Sequence, residues 1–126
     1  YIKYLGYVDN INDLYKKIHI SILPSYREGL PKGLLEAAAC GKPIITTDVT
    51  GCRDVVENEK NGILVKMKDI DDLFLAMKKM VKNREARLSM GKKGRNFIKK
   101  NKGINQRIPN STQTGYFKKI RTQNNI

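Results

Sequence analysis

Residues 24–41 read Pro-Ser-Tyr-Arg-Glu-Gly-Leu-Pro-Lys-Gly-Leu-Leu-Glu-Ala-Ala-Ala-Cys-Gly, and the fold is decided there. Upstream, His19–Leu23 reads as a strand that Pro24 and Ser25 end. Downstream, Pro31–Cys40 reads as a helix, with Pro31 suited to the first helical position and Gly41 to the C-terminal stop. The stretch is therefore a strand end, a glycine-bearing loop and a helix start. In open α/β sheets, ligands bind at that edge, outside the carboxyl ends of the strands. The loop Glu28–Gly33 brings backbone N–H groups within reach of a phosphate, and the helix N-terminus adds a favourable dipole. Glu28 lies in the loop and Glu36 about one and a half turns inside the helix. Carboxylates so placed accept hydrogen bonds from two separate hydroxyl-bearing groups of one elongated ligand. Taken alone, a glycine loop before a helix is more often an ordinary tight turn.

Working outward, strands alternate with helical patterns, as expected of βαβ units and a parallel sheet. Ile2–Val8 reads as a strand, and Asn10–Lys17 as a short helix capped by Asp9 or Asn10. Beyond the central stretch come a strand over Pro43–Thr47, a helical turn over Cys52–Glu57 and a strand over Gly62–Lys66 after the turn dipeptide Asn61-Gly62. From Asp69 to Val81 the residues Ile70, Leu73, Phe74, Met77, Met80 and Val81 follow the spacing of an amphipathic helix. Arg84–Asn101 continues as a more polar helix, interrupted by Gly91 and Gly94. The chain thus divides into a partial ligand-binding domain over 1–101 and a basic tail over 102–126. That tail is rich in Asn, Gln, Lys, Thr and Gly without periodicity, and is read as disordered.

Composition sets outer limits. The 126 residues, 40% hydrophobic, suffice for one domain with a modest core. No stretch reaches the roughly eighteen consecutive apolar residues of a membrane-spanning helix. The chain opens directly on Tyr1-Ile2-Lys3-Tyr4-Leu5, so the expectation is a start inside a domain, without a signal peptide. Cys40 and Cys52 show neither metal-ligand spacing nor a paired framework, and read as reduced thiols of a cytoplasmic protein. The net charge of +13 is unevenly spread: residues 1–77 hold ten bases and eleven acids, whereas 78–126 hold fifteen bases and the single acid Glu85. Such a block attracts phosphate-rich partners or an anionic membrane face, or is simply solvated. No aromatic-interleaved RNA motif or zinc-finger spacing accompanies it, so no nucleic-acid partner is expected.

Glu28 and Glu36, set between Leu23-Pro24-Ser25 and Ala39-Cys40-Gly41-Lys42-Pro43, resemble the paired-glutamate motif of bacterial retaining glycosyltransferases of family 4, also called group 1. Ile44–Asp48, Gly51–Val56 and Asn61–Val65 follow in that family's order. The resemblance runs from about residue 2 to residue 99, and the Gly51-Cys52-Arg53 variant is similar to enzymes that build capsule, O-antigen, lipopolysaccharide or other lipid-linked glycans.

The resemblance implies an α/β fold, an incomplete Rossmann-like doubly wound parallel sheet belonging to the C-terminal half of a GT-B enzyme. It implies sugar transfer from a nucleotide sugar with retention and without a metal or other cofactor. Glu28 would contact donor sugar hydroxyls as the catalytic residue, and Glu36 would hold the ribose. The amides around Gly29, Leu30, Lys32 and Gly33 would face the sugar and pyrophosphate. Partners would be the nucleotide sugar and a lipid-linked acceptor, at the cytoplasmic face of the inner membrane. In the family's strand order 3-2-1-4-5-6, Ile2–Val8 would be strand three and His19–Leu23 strand four, with nothing to bridge them. The acceptor-binding domain and the closing helix of the family are not recognisable, so the expectation is a fragment, inactive alone. Two alternatives stay open: a stand-alone nucleotide-sugar-binding module, and a basic binder of nucleic acid or membrane surfaces. His19, the lone histidine, is assigned packing or an edge, Arg27 solvent, and Tyr26 packing rather than base stacking. Lys32 is within plausible reach of a phosphate.

Overall fold

Ile44–Thr47 forms the centre of the molecule, a strand with every residue buried. A computed structural model describes residues 1–26, 29 and 31–101. The element order is α1 (Ile11–Lys17), β1 (Ser21–Leu23), α2 (Lys32–Ala39), β2 (Ile44–Thr47), α3 (Thr50–Arg53), β3 (Gly62–Val65), α4 (Ile70–Lys82) and α5 (Arg84–Lys100). The three strands form one parallel sheet in the order β1-β2-β3, with Ser21 opposite Ile44 and Ile44 opposite Gly62. A parallel strand buried on both faces favours a continuous β-branched run, and Ile-Ile-Thr-Thr supplies one.

Side chains alternate across the sheet, and each face has its own core. On one face Ile44 packs with Tyr15 of α1, Leu34, Leu35 and Ala37–Ala39 of α2, Cys52, Val55, Val56, and Ile98 of α5. On the other, Ile45, Ile63 and Val65 pack with Ala76 and Met80 of α4 and Met90 of α5. Helix α5 therefore serves both layers, and the doubly wound arrangement expected from the sequence is present over three strands.

Local chemistry explains the element ends. Asn10, Asp69 and Asn83 cap α1, α4 and α5 by accepting from the amides of Asp13, Asp72 and Ala86. Helix α2 ends in a Schellman turn: Gly41, at φ +72°, donates to the Ala38 carbonyl and Lys42 to that of Ala37, both at 3.0 Å. Asn61 is buried because its side chain accepts from the Glu57 amide and donates to the Val55 carbonyl, which shapes the turn into β3.

Several expectations shift. Ile2–Val8 forms no strand: Ile2, Tyr4 and Tyr7 are almost fully exposed, and Gly6 at φ +63° breaks the extended run. A strand is stabilised by a neighbour, and among the described residues none lies beside this segment. Pro31 takes the N-cap position of α2 instead of the first helical one. The helical turn begins at Thr50, two residues before Cys52, and α5 runs through Gly91 and Gly94 without interruption. The expected disordered tail over 102–126 lies outside the described residues.

Candidate functional site

The carboxyl ends of the three strands open into one crevice. Pro24 follows β1, Thr47 ends β2 and Val65 ends β3, and with Tyr26, Lys66 and Lys68 they line a cleft of about 220 Å³ that reaches the start of α4. Parallel strands all point their carboxyl ends to one side, so the topology gathers these residues from loops more than forty positions apart in sequence.

Two of the lining residues are cations. Lys68 holds its ammonium 5.4 Å from the centre of the Tyr26 ring, a cation–π contact, and its backbone sits at φ +59°. Tyr26 is 67% exposed, so the packing role expected for it is not the one it has. The Lys66 amide donates to the Asp72 carboxylate at 2.7 Å, tying the end of β3 to the first turn of α4. Lys66 and Lys68 were not among the expected site residues. The signal was the same strand-end logic that drew attention to residues 24–41, applied to Val65-Lys66-Met67-Lys68-Asp69.

Helix α2 begins after the loop that leaves the carboxyl end of β1, on the face of the sheet opposite α4. Lys32 and Gly33 are exposed in its first turn, and among the described residues no side chain caps this end. A Cβ added to Gly29 or Gly33 would meet no atom of the described residues within 4 Å, so packing among them does not demand glycine at either. Helix α1 supports this turn from behind: Tyr15 Oη donates to the Gly33 carbonyl at 3.1 Å.

Glu36 lies one turn further in, with its side chain only 14% exposed and Lys32 Nζ 3.9 Å from Oε1. Burial pushes its carboxyl pKa up, and the Lys32 ammonium opposes that shift. Burial likewise pushes the Tyr15 phenol to about 12 and the Cys40 thiol to about 11, the Glu36 carboxylate adding to both. Tyr15, Glu36 and Cys40 thus share a partly dry seam between α1 and α2, in which an ionised Glu36 gains from any hydroxyl that donates to it. The structure brings Lys32, Gly33 and Glu36 together on α2 and leaves Gly29 exposed at the loop. Glu28, Leu30 and Arg27 lie outside the described residues. Neither Cys40 nor Cys52 forms a disulfide, and His19 is exposed, ahead of β1 rather than within it.

Comparison with known proteins gives this geometry a context. The family model described as glycosyl transferases group 1 matches residues 1–97. The N,N'-diacetylbacillosaminyl-diphospho-undecaprenol alpha-1,3-N-acetylgalactosaminyltransferase of Campylobacter jejuni is 36% identical over 91 residues, 72% of this chain and 24% of that protein. The UDP-Gal:alpha-D-GlcNAc-diphosphoundecaprenol alpha-1,3-galactosyltransferase of Escherichia coli is 32% identical over 104 residues, 82% of this chain and 27% of that protein. Among solved structures, HepE of Anabaena in complex with UDP and glucose superposes with a TM-score of 0.75 at 21% identity, over 84% of this chain and 30% of that one. The chain therefore spans about a quarter of the length of these curated relatives.

Proposed function

Because the chain belongs to the glycosyl transferases group 1 family, we propose that it carries the nucleotide-sugar-binding part of a retaining, metal-independent enzyme of surface glycan synthesis, working on the cytoplasmic side of the membrane. The observation that carries this reading is the placement of Glu36, its side chain only 14% exposed and 3.9 Å from Lys32, one turn inside the helix that follows the carboxyl end of β1. In this reading Glu36 accepts hydrogen bonds from the ribose, and Glu28 contacts the donor sugar. The amides of Gly29, Leu30, Lys32 and Gly33 face the sugar and pyrophosphate. The leaving nucleoside diphosphate gains negative charge as the glycosidic bond breaks, and fixed donors aimed at that charge lower the barrier. The relatives named for lipid-linked substrates suggest a diphospho-polyprenyl acceptor. In this reading transfer needs donor and acceptor held together in attack geometry, and the 126-residue chain by itself is proposed to transfer no sugar.

Titration of the chain with uridine diphosphate, followed by amide NMR, tests the donor reading. Shifts should concentrate at Gly29, Lys32 and Gly33. Hydrogen bonds to a charged group contribute roughly 1.5–3 kcal/mol, so Glu36→Gln should weaken binding roughly ten- to a hundredfold. Saturating nucleotide that leaves these amides unmoved would sink the reading.

A further inference from the structure

Helix α4 keeps much of its apolar surface out of the core. Ala76 and Met80 are buried and Leu73 packs against the same cluster, yet Ile70, Phe74, Met77 and Val81 are 82, 59, 39 and 65% exposed. These four recur at i, i+4, i+7 and i+11, so they form one continuous stripe about a quarter-turn away from the core-facing side. The amphipathic pattern in the sequence thus holds two apolar faces, and only one is used for folding.

The border of the stripe is basic. Lys78 and Lys82, one and two turns beyond Phe74, flank it and are exposed, and between residues 78 and 101 ten bases face the single acid Glu85. The exposed acid Asp71 lies at the N-terminal end only. At the C-terminal end the stripe meets a recess of about 280 Å³ lined by His19, Lys42, Arg84, Arg87 and the exposed Leu88. Arg87 joins the two, donating from Nη1 to the carbonyls of Met80 at 3.0 Å and Val81 at 2.7 Å.

An apolar stripe with a mostly basic border selects its occupant. A second copy of the chain would bring together two molecules of net charge +13. A purely electrostatic partner would leave the apolar residues without a role. An anionic bilayer surface satisfies both, taking apolar side chains into the headgroup boundary and cations at the phosphates. We infer that the outer face of α4, with the cationic recess at its C-terminal end, docks on an anionic lipid surface with the helix axis in the interface plane. Ile70 also lines the crevice, so docking brings the crevice mouth to the bilayer. The inference rests on this face alone, and its failure leaves the donor-site reading untouched.

The chain contains no tryptophan, so Phe74→Trp in the full chain is a single reporter. It should leave the thermal midpoint unchanged, because Phe74 is exposed. With phosphatidylglycerol/phosphatidylcholine vesicles its emission should shift to the blue and be quenched by brominated acyl chains, while phosphatidylcholine vesicles do neither. Met77→Ser with Val81→Ser should weaken flotation with the anionic vesicles by roughly tenfold or more, through lost apolar burial. Binding to anionic vesicles with an unquenched, unshifted tryptophan and no effect of the serine pair would overturn the inference in favour of charge alone. A blue-shifted emission without lipid, accompanied by a dimer in sedimentation equilibrium that the serine pair abolishes, would overturn it in favour of a second copy.

Discussion

Gly91 in α5 lies directly on the carbonyl of Gly41: a Cβ at residue 91 would overlap that oxygen and sit 2.9 Å from its carbon. Gly41 cannot yield easily, because its positive φ and its hydrogen bond to Ala38 belong to the turn that ends α2. Gly91→Ala should therefore lower stability by more than about 2 kcal/mol, as overpacking against backbone does. Gly94, one turn on, is the control, since its added Cβ would find nothing nearer than 3.7 Å. Gly94→Ala should gain stability by roughly 0.5–1 kcal/mol from helix propensity. Urea denaturation of the two variants should move the midpoint in opposite directions, and equal shifts would contradict the packing of α5 on α2.

A second expectation concerns Thr46, fully buried in the central strand. Its hydroxyl lies 2.8 Å from the Leu23 carbonyl and 3.2 Å from Cys52 Sγ, so its one proton ties β2 to the very end of β1. Thr46→Val keeps the shape and leaves the Leu23 carbonyl without that donor, which should cost about 1–3 kcal/mol. Thr46→Ser keeps the hydroxyl and should lose less, through the missing methyl alone. Chemical denaturation that ranks serine below valine would show that the hydroxyl does not hold the strand end.

Glu36 is expected to oppose stability where it supports binding. Its folded pKa is raised above the ordinary 4.5, chiefly by burial. Between those two values the folded chain binds more protons than the unfolded chain, so stability falls as pH rises through that window. Glu36→Gln removes this dependence. The variant should gain on the wild type in thermal midpoint as pH is raised from about 4 to neutrality, while binding nucleotide more weakly. A difference in midpoint that stays flat over that range would show the carboxyl to be as well solvated folded as unfolded.

What the sequence revealed, and what it hid, follows from range. Elements set by local chemistry were legible: a cap at Asp9 or Asn10, which proves to be Asn10, Gly41 as a stop and the apolar recurrence from Ile70 to Val81 all appear in the fold. So was the placement of Lys32, Gly33 and Glu36 together, because one short helix carries all three. Ile2–Val8 was misread since apolar residues make a strand only beside a partner, and this segment has none among the described residues. Lys66 and Lys68 escaped notice because the parallel topology, not sequence proximity, brings them to Tyr26. The two apolar faces of α4 were merged in one pattern, as periodicity reports what is apolar and not what is covered.

Tyr15 provides a test of how α1 supports the start of α2. Its hydroxyl donates to the Gly33 carbonyl at 3.1 Å, across eighteen residues of chain, and its ring is buried in the core against Leu34 and Leu35. Burial, with the Glu36 and Cys40 charges adding to it, raises the phenol from 10.0 to about 12. The folded chain therefore holds this proton where the unfolded chain loses it. Stability from the phenol is complete below pH 10 and is lost as pH rises toward 12. Tyr15→Phe keeps the packing and removes both the donor and the titration. At neutral pH it should lose about 1 kcal/mol, the net worth of one such hydrogen bond. In alkali the gap between wild type and variant should close and then reverse as pH rises from 10 toward 12, and the phenolate absorbance of the folded variant should lack the component titrating near the upper value. Because the Gly33 carbonyl belongs to the turn whose amides are read as facing the pyrophosphate, the same variant should bind uridine diphosphate more weakly, by less than Glu36→Gln does. A phenylalanine variant equal to wild type at neutral pH and parallel to it through alkali would remove Tyr15 from any role beyond filling space.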